Sequence, residues 1–455
     1  MTELSDAIGF YHSLLTDELG QQSQAQLSRQ LHHRQLFFGE RPLCTVLRPR
    51  FMTTSHYQGL TRAIREIMPA FARAHRAAMA DADFRRQFGL NGWEEELLQV
   101  DPGFRDPSPT ARMDSFITTD ETGAERIYFA EYNAETPAAV AYNDVLSEVM
   151  RALPVMGTFQ RRYEVRPLPA RHQVLHALLD AYHQWGGRDR PTIAILDWRE
   201  VPTYSEFMLF QEYFKSQDYE CVIADPRQLE YRNGELLVDG VTPVHLIYKR
   251  VLISELVQRQ GLGDPTIRAV RDCAVCMVNP FRCKLLHKKA SFAVLSDERN
   301  ADLFTAEERQ AIDSYIPWTR NVAERRTVFH GQTVDLLPFI AENRERLVLK
   351  PNDEYGGKGV MLGWDTSAED WQATIQAALN EPYIVQERIQ IPSEPYPSLV
   401  DGQVQIYDRL TDTNPYIWYG EYLAGSMTRL STVNLLNVTA GGGSLAPTFV
   451  IEKRS

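Results

Sequence analysis

The sequence predicts a mixed α/β (α+β) chain, and three patterns carry that expectation. Two alternating runs flank a polar, glycine-containing turn in "RMDSFITTDETGAERIYFAEYN" (112–133), which reads as a β-hairpin. Strand-like and helix-like stretches alternate over about 170–280, the pattern of a parallel sheet with crossover helices. "LVLKPNDEYGGKGVML" (347–362) reads as strand, glycine loop, strand.

Residues 1 to about 100 read as mostly helical. "GLTRAIREIMPAFARAHRAAMADADFRRQFG" (59–89) sets apolar residues at helical spacing and stops at a glycine. In the hairpin, Asp114 falls on the first strand and Glu131 on the second. A helix follows at 171–185, a short apolar strand in "PTIAILDW" (191–198), and a helix at 204–217. Then come a strand, a hairpin turning at Asn233-Gly234, and an apolar strand, which together make a small Rossmann-like unit at about 170–280. From 281 the chain reads helical up to the glycine loop. A helix (366–380), the strand "YIVQERI" and a proline-rich loop (392–397) come next. Alternating segments then continue to the end. The last third is α+β, with an antiparallel sheet carrying the glycine loop.

Composition excludes some classes of function. The 455 residues are 44% apolar, enough for about two to four structural units. A net charge of −12 argues against general nucleic-acid affinity, which needs clustered positive charge. The first twenty residues lack a basic n-region and a long apolar run, so no signal peptide is expected. No stretch approaches the ~18–20 apolar residues of a membrane span. Five cysteines do not make a disulfide scaffold, and a reducing cytoplasm is the expected compartment.

Several constellations carry chemistry, each beside a plainer alternative. Gly356, Gly357 and Gly359 leave main-chain N–H groups open to phosphate oxygens. Lys350 ends the preceding strand within reach of the same phosphates, and Lys358 adds local positive charge. The spacing is not a Walker loop, and the alternative is a turn in a surface sheet. Glu131 and Asn133, two apart on a strand, point to one face, and Asp114 adds a carboxylate from the partner strand. Such an all-oxygen set suits magnesium. Arg112 shares that face, where it could hold a transferring phosphoryl group. The alternative is a solvated acidic strand face with an Arg–Asp pair.

Main-chain groups of "YIVQERI" could pair with an adenine edge, with Gln386 and Glu387 at its end and a carboxylate for ribose hydroxyls; the alternative is a buried strand. Arg429 alternates with apolar residues near Asn434 and Asn437, ahead of Gly441, Gly442 and Gly443, which are either a flexible turn or a backbone approach to ligand. Cys273, Cys276 and Cys283 with His287 offer zinc spacing, but they lie in an apolar run where cysteine behaves as a core residue. Lys288 and Lys289 are two candidates for a further phosphate lysine, against a solvated helix.

Together these features resemble the ATP-grasp ligases, which use two lysines, a glycine-rich flap, a strand hinge and an E-x-N magnesium signature. Here E-x-N is Glu131-Tyr132-Asn133. "RMDSFIT" and "AEYNAETP" look especially like glutathionylspermidine synthase and its relatives, as do "YKRVLISEL", "VNPFRCKLLHKKA", "IPWTR", "VLKPNDEYGGKGV", "MTRLS" and "GGGS". The glycine loop follows the metal signature by more than two hundred residues, the reverse of the usual order. That order resembles a circularly permuted ATP-grasp protein. Leu445 departs from the pattern, since a basic residue is expected after the glycine run.

The resemblance covers most of residues 100–455 and implies four parts: a helical region (1–100), a metal-binding part (101–168), a pre-ATP-grasp Rossmann-like unit (169–280) and the subdomains with the lysines, glycine loop and adenine hinge (281–455). It implies ATP and Mg2+ as cofactors. The implied reaction joins a small-molecule or peptide carboxylate to an amine acceptor through an acyl phosphate. Magnesium would lie on Asp114, Glu131 and Asn133. Lys350 and one of Lys288 and Lys289 would take phosphates, and Arg112 and Arg429 the acyl phosphate. Glu131 and Lys350 are expected on opposite sides of one triphosphate. A small-molecule phosphotransferase and an inactive nucleotide-binding protein remain the alternatives. No nucleic-acid or membrane partner is expected.

Overall fold

The structure, a computed structural model, describes residues 2–120, 122–354, 356–434 and 443–454. Helices α1 (Glu3–Leu14) and α2 (Asp17–His33) each open on a threonine. Thr2 Oγ1 accepts from Ser5 N at 3.2 Å and Thr16 Oγ1 from Leu19 N at 3.3 Å, which satisfies donors that a helix start leaves free. Strand β1 (Arg50–Thr53) leads directly into α3 (Thr54–Ala80). Leu60, Ala63, Ile64, Ile67, Phe71, Ala74 and Ala78 form the buried stripe of α3. The sequence suggests one helix over 59–89. The structure breaks it at Asp81, whose Oδ1 accepts from Asp83 N at 2.8 Å and starts a short new helix, and the chain leaves at Gly89 with φ 64°.

The hairpin is formed by β2 (Thr110–Thr119) and β3 (Glu125–Asn133). Arg112 pairs with Asn133 and Asp114 with Glu131, then the register shifts so that Ser115 faces Phe129. The shift leaves Ala130 as an extra residue, a bulge beside the acidic pair. After β4 (Tyr163–Pro167) the strand–helix alternation appears as expected: α4 (Arg171–Trp185), β5 (Ile193–Leu196), α5 (Tyr204–Ser216), β6 (Cys221–Ala224), β7 (Leu246–Lys249) and β8 (Cys276–Val278). The four strands are parallel in the order β8-β7-β5-β6. The hairpin inserted before β7 turns at Asn233 (φ 53°) and Gly234 (φ 80°), the left-handed pair that a two-residue hairpin turn needs.

Two short helices, α6 (Cys283–His287) and α7 (Ala290–Ser296), lead to a second sheet of β9 (Thr319–Asn321), β10 (Leu347–Pro351), β11 (Met361–Leu362) and, after α8 (Ala368–Ala377), β12 (Tyr383–Glu387). Its order is β9-β12-β10-β11, antiparallel throughout. Trp371 and Ile375 of α8 pack on Leu347, Leu349 and Val385 of this sheet. The chain ends in β13 (Ser393–Val400), β14 (Gln403–Thr411), β15 (Asn414–Trp418), β16 (Tyr422–Ser431) and β17 (Ser444–Lys453). These join the hairpin in a nine-stranded sheet of order β13-β14-β16-β15-β2-β3, with β17 beside β16 and also pairing β1 and β4.

One expectation is corrected here and another is extended. The proline-rich loop at 392–397 is largely strand β13, in which Pro395 faces Asp408 and Pro397 faces Ile406. An end strand pairs through one edge only, so it tolerates residues without an N–H. The helical N-terminal stretch also gives β1 to the large sheet, parallel to β17. Among the described residues, no helix is long and apolar enough to cross a membrane.

Candidate functional site

The hairpin register places Arg112, Asp114, Glu131 and Asn133 on one face of the large sheet. Asp114 is their centre. Its Oδ1 accepts from Arg112 Nε at 2.8 Å and from Asn133 Nδ2 at 3.1 Å. Its Oδ2 accepts from Arg429 Nη2 at 2.6 Å. Arg429 comes from β16, one strand beyond β15, and is aimed by Asp412, which takes its Nε at 2.6 Å and its main-chain N at 2.8 Å. Burial alone would raise the Asp114 carboxyl, but Arg112 and Arg429 outweigh it and hold the group at about 2. Burial pushes the Asp412 carboxyl up against the pull of Arg429.

The facing wall comes from the smaller sheet. Lys350 lies one residue from the end of β10, and its Nζ donates to Gln386 Oε1 at 2.6 Å and to Ala130 O at 3.3 Å. The bulge thus has a use, because it turns a hairpin carbonyl toward the opposite lysine. Burial lowers the Lys350 ammonium to about 8. Lys289, at the start of α7, bridges the walls, donating to Glu131 Oε1 at 2.9 Å and to Glu354 O at 2.6 Å. Burial works against the Glu131 charge, but Lys289 and Lys350 together outweigh it and the carboxyl is lowered.

One cleft is lined by all of these residues except Asp412, together with Gly356, Gly357, Glu387 and Asn434. Glu131 and Lys350 line it from different sheets. Val348, Val360, Leu362, Trp364, Ile389 and Ile391 form an apolar end. Gly356, Gly357 and Gly359 have φ of 64°, 77° and 72°, values that side chains rarely adopt. Gly359 itself packs toward Pro351, where an added Cβ would lie 3.0 Å from Cγ.

Not every candidate converges. Lys288 points away from the cleft, to Glu94 Oε1 at 2.7 Å and Asp353 Oδ2 at 3.0 Å. Lys358 is exposed and reaches Glu354 Oε1 at 3.2 Å. The side chain of Gln386 is spent on Lys350 and on Thr319 Oγ1 at 3.0 Å. The main-chain N–H groups of Glu387 and Arg388 are taken by Trp318 O and Arg346 O at 2.8 Å each, so these two donors are not open to an adenine edge. The Glu387 carboxylate faces His330 Nε2 at 2.9 Å. Leu445 is buried on β17, and its N–H goes to Leu43 O at 2.7 Å. Asn437, Gly441 and Gly442 lie outside the described residues, while Gly443 is buried. Cys273 is exposed, whereas Cys276 and Cys283 are buried. Among the described residues, no cluster of three His, Cys, Asp or Glu side chains is arranged to hold a metal.

Asp412 escaped sequence reading because "TDTNP" looks like any polar turn. The apolar end escaped it because its residues are scattered from 348 to 391. The Asp114, Glu131 and Asn133 donors still fit a hard cation. Glu131 spends one oxygen on Lys289, and Asn133 spends its amide N–H on Asp114, which leaves its carbonyl oxygen as the acceptor. Arg112, Arg429, Lys289 and Lys350 provide four cationic groups along one cleft, a setting for an elongated polyanion.

Comparison with known proteins gives three findings. The chain matches the family described as circularly permuted ATP-grasp type 2 over residues 117–431. No curated protein matches it. Among solved structures it is similar to a glutathione synthetase-like effector from Globodera pallida, at 13% identity and TM-score 0.62 over 96% of this chain and 98% of that one. At that identity the likeness concerns the fold. A D-alanyl-alanine synthetase A from Vibrio cholerae matches at 10% identity and TM-score 0.31 over 57% of this chain and 74% of the other.

Proposed function

The chain belongs to the circularly permuted ATP-grasp type 2 family, and from that premise we propose that it is an ATP-dependent carboxylate–amine ligase. Family membership supports an ATP-grasp ligase in general. The finer reading is carried by one observation: Arg112, Asp114, Glu131, Asn133 and Arg429 on one sheet face Lys289, Lys350 and the glycine loop across a single cleft.

In this reading a substrate carboxylate oxygen attacks the γ-phosphorus of ATP. The bond to the β,γ-bridging oxygen breaks and ADP leaves, giving an acyl phosphate. The amine nitrogen then attacks the acyl carbon, phosphate departs, and the nitrogen loses a proton as the amide forms. Such phosphoryl transfer depends mainly on positioning and charge neutralisation. Lys289, Lys350 and the N–H groups of the glycine loop would hold the triphosphate. Arg112 and Arg429 would hold the phosphoryl group in transfer, aimed by Asp114 and Asp412. Mg2+, when bound at Asp114, Glu131 and Asn133, would neutralise charge between phosphates. The apolar end of the cleft suits the base. The glycine loop covering the phosphates would exclude water and protect the acyl phosphate from hydrolysis.

The test is a screen of carboxylates and amines for ADP release, with mass spectrometry of the product. Strict dependence on both partners and an amide product support the ligase. Phosphorylated product with a lone hydroxyl acceptor would make the protein a phosphotransferase. No ATP binding at all would make it a non-catalytic member of its family.

A further inference from the structure

Beneath the cleft lies a knot of charge, buried except for the half-buried Asp353, that the proposed chemistry does not use. Lys284 Nζ meets Asp353 Oδ1 at 2.7 Å and Oδ2 at 2.8 Å, and Glu135 Oε2 at 3.0 Å. Lys288 Nζ meets Glu94 Oε1 at 2.7 Å and Asp353 Oδ2 at 3.0 Å. Lys249 Nζ is 3.5 Å from Glu135 Oε1. The side chains of Lys284 and Lys288 are 3% and 4% exposed. Taking such groups out of water is costly unless every charge is matched, and here three ammonium groups meet three carboxylates.

The location of the knot explains its use. Asp353 stands three residues before Gly356, at the foot of the glycine loop. Its neighbour Asn352 is bonded on every side. Its N–H goes to Pro382 O at 2.9 Å, and its C=O accepts from Lys289 N at 3.0 Å. Its Oδ1 accepts from Ala290 N at 2.8 Å, and its Nδ2 donates to Phe88 O at 2.8 Å. Glu135 stands two residues beyond Asn133, and its Oε1 also accepts from Ile253 N at 2.6 Å. One ammonium, Lys284, therefore grips both the foot of the glycine loop and the end of the hairpin that faces it.

We propose that Asp353 is a positioning residue. Held by Lys284 and Lys288, it fixes where the glycine loop starts relative to Lys289 and to the Glu131–Asn133 strand. Lys288 thereby acts on the nucleotide through the loop and not by touching it. This inference rests on the nucleotide-site reading, and the test separates the two.

The variants are Asp353→Asn and Asp353→Glu in the full chain. Both should fold, because Lys284 keeps Glu135 and Lys288 keeps Glu94. Hydrogen exchange in the ligand-free protein is the first readout. In Asp353→Asn, the amide of Val360, which donates to Gly357 O at 3.2 Å across the loop, should exchange roughly tenfold faster, the size of one lost charge-assisted hydrogen bond, while β10 and the parallel sheet keep wild-type protection. The second readout is kinetic. KM for ATP should rise roughly tenfold with kcat changed much less, and Asp353→Glu should recover part of the loss. Unchanged exchange at Val360 overturns the proposal. So does a rise spread over the whole chain, which would mark a merely structural knot. If the wild-type protein bound no ATP, the nucleotide reading would fail, and the exchange experiment would still decide whether Asp353 anchors the loop.

Discussion

Arg429 and Asp114 are 315 residues apart in the chain, yet Nη2 of one lies 2.6 Å from Oδ2 of the other. The contact spans three adjacent strands, with β15 between β16 and β2, and Asp412 fixes its direction from the far side. In the cleft the carboxylate proposed for the metal is thus neutralised by the arginines proposed for the phosphoryl group. Nucleotide binding in that reading is an exchange of partners, in which each arginine gives up a carboxylate to take a phosphate oxygen.

Arg429→Lys should therefore be far from conservative. A guanidinium reaches Asp412 through Nε and Asp114 through Nη2 at once, and an ammonium cannot span both. ADP release should fall by about 10²-fold, the usual loss when one donor to a developing charge is removed. Arg429→Ala should also cost about 3–5 kcal/mol in urea unfolding, because Asp412 is left buried beside its lost partner. Activity of Arg429→Lys within a factor of about two of wild type would take Arg429 out of the phosphoryl site.

Glu131→Gln and Asn133→Ala test the metal assignment. Each removes one oxygen ligand or its charge at the surface of the cleft, and the strand pairing of β3 is main-chain and survives. ADP release should drop by roughly 10²-fold or more in either variant, with the melting temperature little changed. Near-normal turnover in both would contradict the assignment.

Sequence patterns located the hairpin because its residues alternate and only one face is functional. They located α4 and the Asn233-Gly234 turn because helical periodicity and a left-handed dipeptide are local properties. They did not find β1, whose four residues are all buried, so no period-two contrast survives. Lys288 and Lys289 could not be told apart either. They are neighbours in sequence, and only the packing of α6 and α7 sends one into the cleft and the other to Glu94 and Asp353. The Asp412–Arg429 pair was hidden for the same reason, being a contact made by a turn of the sheet and not by spacing in the chain.

Gly363 gives a prediction about stability alone. It follows β11 at the far end of the glycine loop. A Cβ there would lie 1.8 Å from Arg344 O and 2.8 Å from Leu347 O, both main-chain atoms that cannot swing aside. Gly363→Ala should destabilise the chain by about 1–3 kcal/mol, as overpacking does, read as a lower urea midpoint. A wild-type midpoint would mean that the 344–347 turn yields more easily than its hydrogen bonds suggest.

In the proposed reading, Lys350 sets a pH limit on nucleotide binding. Burial brings its ammonium from an ordinary 10.5 down to about 8. Below that pH the group is charged and can hold a phosphate; above it the neutral amine cannot. A bound polyanion favours the charged form, so binding takes up a proton as pH rises past about 8 and affinity falls by up to about tenfold per pH unit. The stability contribution runs the other way. Between about 8 and 10.5 the unfolded lysine keeps a proton that the folded one has lost, so this residue's contribution to stability rises with pH across that window. Calorimetric titration of ATP with Mg2+ between about pH 7 and 9.5 should show the loss in wild type. Lys350→Arg, which stays charged throughout, should bind more weakly but without the slope. A wild-type affinity that is flat across this range would place Lys350 away from the phosphates, as a lysine that serves only to join Gln386 to the bulge at Ala130.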